Sequence, residues 1–321
     1  MPHGLRALHQ MGVQLEPASA MPFGGICFEG DGQRVEADFA GGTGLGIRRT
    51  TLHRALLERA RDEGVALEWG VSVDQISEQS AKVGLEHIRY RWLVCADGQN
   101  SRLRKAVGLD DIRLLGRRYG FRRHYRVAPW TRKVEVHWSG CGQLYITPTA
   151  TDEICVALIT SNPKIRLRDA LPEFPLVMER LRSCAPLTRE QGAVTSTVRL
   201  HSVQTGRIAM LGEASGSIDA ITGEGLSTAF AQANALIHAI KKDDLRLYES
   251  AHQEIMRRPR AMAHLLLLMD RYPFIRRRAL RALSSEPSIF SRLLAIHTGA
   301  LSPLEFGLNG ALSFGWGLVT A

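Results

Sequence analysis

The chain has 321 residues, 45% of them hydrophobic and 23% charged, the composition of a folded globular protein with length for one large domain or two intertwined ones. Its formal charge of +9 is spread along the sequence, with a local excess at residues 241–321, where 12 basic residues stand against 7 acidic ones. No zinc-finger, helix-turn-helix or RRM signature accompanies that charge, which sets nucleic acid aside as a partner.

A solvated helical surface accounts for the basic excess, and so does contact with an acidic ligand or an anionic membrane surface. Cys27, Cys95, Cys141, Cys155 and Cys184 are widely separated, form no C-x-x-C pair and have no His at metal-ligand spacing. They read as reduced core residues of a cytoplasmic protein, and no metal site is expected. Residues 1–4 open no signal peptide, and the most apolar run, 265–269, is too short to span a bilayer.

In chain order, residues 50–64 predict a helix. Leu52, Leu56 and Ala60 recur every fourth position, Thr50 or Thr51 offers a cap, and Gly64 ends it. Residues 65–73 alternate at Val65, Leu67 and Trp69 and predict a strand; 91–95 predicts a short buried one. From 112 to 205 the texture changes. Runs at 119–127, 133–138, 143–147, 153–160 and 193–201, divided by turn residues, predict an antiparallel sheet forming a second domain, with a helix over 169–183 beside it. Residues 207–211 predict a return strand, then a glycine-rich turn and a helix to about 240. The remainder predicts helices broken at Pro259, Pro273 and Pro287. The division is thus 1–111, 112–205, 206–245 and 246–321, an α/β part interrupted by a sheet and resumed before a helical tail.

Two motifs carry chemistry. Asp97-Gly98-Gln99-Asn100-Ser101-Arg102-Leu103-Arg104 follows the strand at 91–95, at a strand end where ligands of open α/β sheets lie. The Asp-Gly turn and capping Ser101 also have a purely structural reading. The second motif joins Gly212-Glu213-Ala214-Ser215 to Thr222-Gly223-Glu224-Gly225 at the start of a long helix. Glycines there let a ligand approach the backbone, and the free N–H groups of a helix start favour negative charge. Glu213 can accept hydrogen bonds from sugar-like hydroxyls.

Together these motifs resemble the FAD-dependent oxidoreductases of the para-hydroxybenzoate hydroxylase and geranylgeranyl reductase superfamily. D-G-x-x-S-x-x-R matches Asp97, Gly98, Ser101 and Arg104, a segment the resemblance places against the FAD pyrophosphate and the nicotinamide cofactor. G-D-A…G-x-G matches Gly212, Ala214, Gly223 and Gly225, with Glu213 where the family usually has the Asp that binds the ribityl chain. Glu224 lies between the two glycines. Arg48-Arg49-x-x-Leu52 matches a helix start whose Arg lies near the flavin, although surface charge explains these arginines equally well. The family's opening G-x-G-x-x-G unit has no counterpart. Gly41-Gly42-Thr43-Gly44-Leu45-Gly46 lacks its spacing, and the expectation is a chain shortened at its N-terminus.

The resemblance implies an incomplete Rossmann-like α/β fold binding FAD, with NAD(P)H as electron donor, and a monooxygenase-like reaction on an apolar or aromatic small molecule. Reduction of an isoprenoid-type double bond is the alternative, and a remnant that no longer binds FAD is a third. The halogenase segment W-x-W-x-I-P and the prenyl-reductase segment Y-x-W-x-F-P are both absent. The basic, apolar tail at 256–294 suits either helix packing or contact with a membrane surface. Trp130 and Trp138 read as sheet packing. His53, His87, His124, His201 and His264 are scattered singly, and no side chain stands out as an acid or base. Substrate identity and oligomeric state are not legible.

Overall fold

Helix α1 (Pro2–Gln10) opens a computed structural model that describes residues 1–302 and Glu305. Four short strands follow: β1 (Ala20–Phe23), β2 (Gly25–Gly30), β3 (Gln33–Asp38) and β4 (Gly44–Ile47). β4 pairs antiparallel with β1, so half of the glycine run at 41–46 is strand. The absence of side chains there serves close packing. A Cβ on Gly46 would stand 1.7 Å from the carbonyl oxygen of Pro148.

Helix α2 (Arg49–Asp62) buries Leu52, as its spacing requires. Arg48, not Thr50 or Thr51, occupies the cap, without a side-chain cap bond, and Gly64 follows at φ +73°. The strand expected over 65–73 does not form. Only β5 (Val73–Asp74) pairs, in a small sheet with β6 (Ser80–Val83) and β7 (Glu86–Arg89). Val65 and Trp69 are 52% and 61% exposed, because no neighbouring strand or helix covers the alternating face.

Strand β8 (Leu93–Cys95) leads through a turn to α3 (Arg102–Ala106). The sheet region contains β9 (Ile112–Arg126), β10 (Lys133–Ser139), β11 (Gly142–Ala150), β12 (Glu153–Thr160) and β13 (Gln191–Leu200). They join β2 and β3 in a seven-stranded sheet of order β13-β9-β12-β11-β10-β2-β3. β10 runs parallel to β2, so the sheet is mixed rather than antiparallel throughout, and it takes two strands from before residue 112. The helix expected over 169–183 is instead α4 (Leu167–Ala170) and α5 (Pro175–Leu181). Pro172 and Pro175 lack the N–H that a continuous helix needs.

The chain returns through β14 (Gln204–Thr205) to β15 (Ile208–Met210), which lies parallel to β8 from Ile208↔Leu93 to Met210↔Cys95. Helix α6 (Gly225–Lys241) follows, then α7 (Leu245–Arg271), α8 (Pro273–Ser285) and α9 (Pro287–Thr298). Pro273 and Pro287 open helices, as expected, but Pro259 does not break one. It is buried inside α7 between Met256 and Ala263, whose packing carries the helix through the missing bond. Apart from Glu305, positions 303–321 of the expected helical tail lie outside the described residues. No described helix is long and apolar enough to cross a membrane.

The architecture is α/β, and alternation along the large sheet gives it two working faces. Phe28, Val136 and Trp138 point to the layer containing Leu266, Met269, Leu280 and Phe290 of α7–α9. Leu144, Ile146, Ile154, Val156 and Leu158 face the other way, onto Leu167, Phe174 and Val177 of the α4–α5 layer. A third cluster gathers Met210, Ala214, Leu236 and Tyr248 around β8 and β15.

The close approach at Gly46 makes a prediction. Gly46→Ala will lower stability by roughly 1–3 kcal/mol, read from the denaturant midpoint, because the obstacle is backbone. Gly116→Ala, with open space where its Cβ would go, will stay within about 0.5 kcal/mol of the parent.

Candidate cofactor and substrate site

The Asp97 motif forms a clamp rather than an open ligand loop. Ser101 Oγ donates to Asp97 Oδ1 (2.6 Å) and accepts from the Arg104 N–H (2.9 Å). The N–H groups of Arg102 and Leu103 donate to Asp97 Oδ2 at 3.0 and 3.3 Å. Asp97 thereby occupies the start of α3 itself, while Gly98 turns the chain at φ +84°. Arg104 is buried and donates to the carbonyl of Ala214 (3.3 Å) and of Gln99 (3.4 Å). The two motifs are therefore joined, but Asp97, Gly98, Ser101 and Arg104 lie outside the cavity lining.

The return turn is arranged differently. Gly212 has φ +62°, and its N–H donates to Gln232 Oε1 (2.9 Å). Glu213 is exposed, with Ala214 buried behind it. Gly223 takes the left-handed conformation (φ +64°), no side chain caps α6, and nothing lies within 4 Å of a Cβ built on Gly225. The result is a helix start with open approach. The side chain of Glu224, between these glycines, is buried, and neither carboxyl oxygen has a hydrogen-bond partner. His3 Nε2 stands 3.4 Å from one oxygen and His297 Nδ1 3.7 Å from the other. Burial pushes the Glu224 carboxyl up to about 7 against the pull of Arg258. Burial also pushes His3 and His297 down to about 3 and about 4, so neither imidazole supplies a compensating charge at neutral pH.

These residues line a cavity of about 520 Å³. Arg48, Gly212, Glu213, Gly223, Glu224 and Gly225 all border it, together with Arg49, Arg122, His124 and Cys155. Its floor is one face of the large sheet: Ile26 and Phe28 on β2, Val136 and Trp138 on β10, Tyr145 and Thr147 on β11. Leu266, Met269, Leu283 and Phe290 close the apolar end from α7–α9. Polar and cationic groups thus meet an apolar chamber, the composition of a small-molecule site.

Several of these residues have no local signal in the sequence. Trp138, expected as packing, is buried and also walls the cavity. The nearest available signal is alternation: residues 122 and 124, 134 to 138, and 145 to 149 mark one sheet face once register is known. Arg48 does not stand free. Its Nε donates to Glu153 Oε1 (2.8 Å) and Nη2 bonds the other oxygen, while Thr149 (2.8 Å) and His124 Nδ1 (2.9 Å) also meet Oε1.

The walls are fastened by Arg118, buried on β9. It donates to Asp219 Oδ1 (3.3 Å), Gln143 Oε1 and the Ile159 carbonyl (3.3 Å), and lies 3.2 Å from Asp270 Oδ2. Asp219 Oδ1 in turn accepts the Ile221 N–H (3.0 Å), and Gln143 Nε2 donates to Asp270. One cation faces two carboxylates, and burial together with Asp219 raises the Asp270 carboxyl.

No family model matches the sequence. The probable 2-heptyl-3-hydroxy-4(1H)-quinolone synthase AqdB2 of Rhodococcus erythropolis is 27% identical over 215 residues, which is 62% of this chain and 56% of that protein. The chain therefore spans little more than half the length of this curated relative. The flavin-dependent brominase Bmp2 is similar in structure with a TM-score of 0.79 at 16% identity, over 97% of this chain and 85% of its own. A variant of the halogenase PltM in complex with FAD gives 0.66 at 14% identity, over 98% and 77%. The chain has the fold of the FAD-binding oxidoreductases.

Two predictions follow from the electrostatics. Arg118→Leu will destabilise the protein by about 3–5 kcal/mol in denaturant titration, since it strands the buried Asp219 carboxylate and removes the cation facing half-buried Asp270. For Glu224, the native carboxyl keeps its proton up to about pH 7 while the unfolded one releases it near 4.5. Between those values the native state holds the extra proton, so this group's contribution falls as pH rises and levels off above 7. Glu224→Gln removes that loss. Its stability relative to the parent will climb from pH 4.5 to 7 and reach a plateau on the order of 3 kcal/mol.

Proposed function

We propose that this chain is a flavin-dependent oxidoreductase of monooxygenase type, using NAD(P)H as reductant and acting on an apolar, aromatic small molecule. The observation that carries the reading is the cavity in which the open start of α6 meets an apolar, sheet-floored chamber. FAD fits the residues present. A left-handed Gly223, an unobstructed Gly225 and an uncapped α6 leave backbone N–H groups free for an electron-rich ring edge.

The exposed Glu213 would take the ribityl hydroxyls, with Gly212 admitting close approach. When bound, the flavin supplies the redox chemistry, accepting a hydride from NAD(P)H and passing oxygen from O2 to the substrate. The chain's own part is to orient and to exclude water. Phe28, Val136, Trp138, Leu266 and Phe290 provide a dry wall for an aromatic body. The curated relative supports this reading, its printed product being a hydroxylated heterocycle with a heptyl chain.

The breadth of the apolar wall from α7–α9 also favours a second reading, reduction of an isoprenoid-type double bond. Oxygen uptake coupled to NAD(P)H oxidation in the presence of substrate separates the two. The monooxygenase reading expects it, and the reductase expects none at saturating substrate.

Flavin binding is the direct test. Titration of the purified protein with FAD should quench flavin fluorescence and perturb its visible spectrum. Gly225→Ala should weaken binding severalfold without moving stability by more than about 0.5 kcal/mol, since the added Cβ meets open space. A protein that stays colourless with added FAD would sink the proposal.

A further inference from the structure

At the polar corner of the cavity, a carboxylate, a hydroxyl, a guanidinium and an imidazole form one connected set. Glu153 sits at the start of β12 and is 9% exposed at its side chain. Its Oε1 receives Arg48 Nε, Thr149 Oγ1 and His124 Nδ1, and its Oε2 receives Arg48 Nη2. Although burial opposes ionisation, the hydrogen bonds from Arg48 and Thr149 hold this carboxyl below its ordinary value. A carboxylate so saturated accepts only. The His124 nitrogen facing it must therefore carry a hydrogen, which fixes the tautomer of the ring.

Nε2 of His124 is then a lone pair. No described residue hydrogen-bonds it, and His124 lines the cavity. Burial, reinforced by Arg48 and Arg122 and opposed by Glu153, lowers the affinity of His124 for a second proton. The other groups around this corner are Arg49 on α2, Arg122 on β9 and the exposed Glu213. Cys155 lies opposite His124 in the β9–β12 register, its thiol pushed up to about 11 by burial. The surroundings are thus a neutral imidazole backed by a carboxylate and flanked by cations, with a neutral thiol beside it.

We propose that His124 is the residue through which the cavity reads its substrate, accepting a proton from a weakly acidic hydroxyl or ring N–H on an otherwise apolar aromatic body. The inference rests on the reading of the cavity as a substrate site and narrows the substrate class within it. The exchange balances simply. The substrate X–H bond breaks, its electron pair stays on X, and the proton moves to Nε2. Glu153 stabilises the imidazolium through Nδ1–H, while Arg49 and Arg122 stabilise the anion left on X. Glu153 and Thr149 are positioning residues in this arrangement, and His124 is the group that meets the ligand.

The test uses 4-nitrophenol, whose phenol and phenolate forms differ in visible absorbance, with 4-nitroanisole as the analogue lacking the proton. It uses the protein without added flavin, so that its outcome is independent of cofactor binding. At pH 6, 4-nitrophenol bound to the parent should show an absorbance shift towards phenolate, and equilibrium dialysis should show it held at least fivefold tighter than 4-nitroanisole. His124→Asn places an amide near the Nδ1 position and removes Nε2, so it retains a donor for Glu153. It should lose the absorbance shift and bring the two ligands to within twofold of each other. Thr149→Val, which leaves Nε2 in place but loosens Glu153, should reduce the shift only in part. A bound nitrophenol that stays unshifted in the parent overturns the proposal. So does a shift that survives His124→Asn, which would assign it to Arg49 and Arg122 alone, and so does failure of 4-nitrophenol to bind the parent. If the shift depends on His124 while FAD fails to bind, the flavin reading falls and this one stands. If FAD binds and the shift is absent, the reverse holds.

Discussion

A buried guanidinium holds the candidate site in shape. Arg118 on β9 reaches the loop before α6 through Asp219, the neighbouring strand β11 through Gln143, and α7 through Asp270. These are the three walls of the cavity: sheet floor, glycine-flanked turn and helical cover. Each carboxylate would be costly in that interior without the shared cation, and the cation without them. Asp219 reaches the cavity lining while Arg118, Gln143 and Asp270 lie behind it, so the network joins the walls from outside the chamber. Its charge is imbalanced, with two carboxylates to one cation, and the raised Asp270 carboxyl is the expected response to that imbalance.

Around this frame the cavity separates two kinds of surface. Apolar side chains of β2, β10 and α7–α9 occupy one end, and the set around Arg48, His124 and Glu153 occupies the other. The open start of α6 lies on the same enclosure. Glu224 has a different character from its flanking glycines, because its side chain is sealed in while their backbone is open. Its neutral form suits a site without a nearby cation strong enough to hold a carboxylate.

Much of the fold was legible because it rests on local rules. The limits of β12 coincide with its apolar run, α2 follows the spacing of Leu52, and α6 begins at the glycine pair. The misreadings share a cause, in that each depended on what packs against the segment. Residues 65–72 alternate but join no strand ladder, and Pro259 is carried through α7 by its buried neighbours. β2 joins β10 across a hundred residues of sequence, which no window reveals. The site divides in the same way. Gly212, Glu213, Gly223 and Gly225 lie close together in sequence and all border the cavity, whereas His124 looked solitary because Glu153, its partner, and Arg48, which shares that carboxylate, come from distant parts of the chain. Asp97 and Arg104 stand out in sequence as well, but in the structure they tie the chain to itself and lie outside the cavity lining.

The strict alternation of the large sheet has one more consequence. Tyr145, Thr147 and Thr149 meet the cavity, while Leu144 and Ile146 between them belong to the opposite core, beneath α4 and α5. Val156 and Leu158 are likewise separated from Cys155, and Phe121 and Tyr125 from His124. The side chains that line the cavity and those that anchor the sheet therefore occupy interleaved but independent positions along the same strands. Exchanging the first set reshapes the chamber and leaves the second layer in place, so one backbone can carry a succession of cavity walls. A shift of pairing by a single residue would do the opposite, turning the anchoring layer into the cavity and burying the selective one.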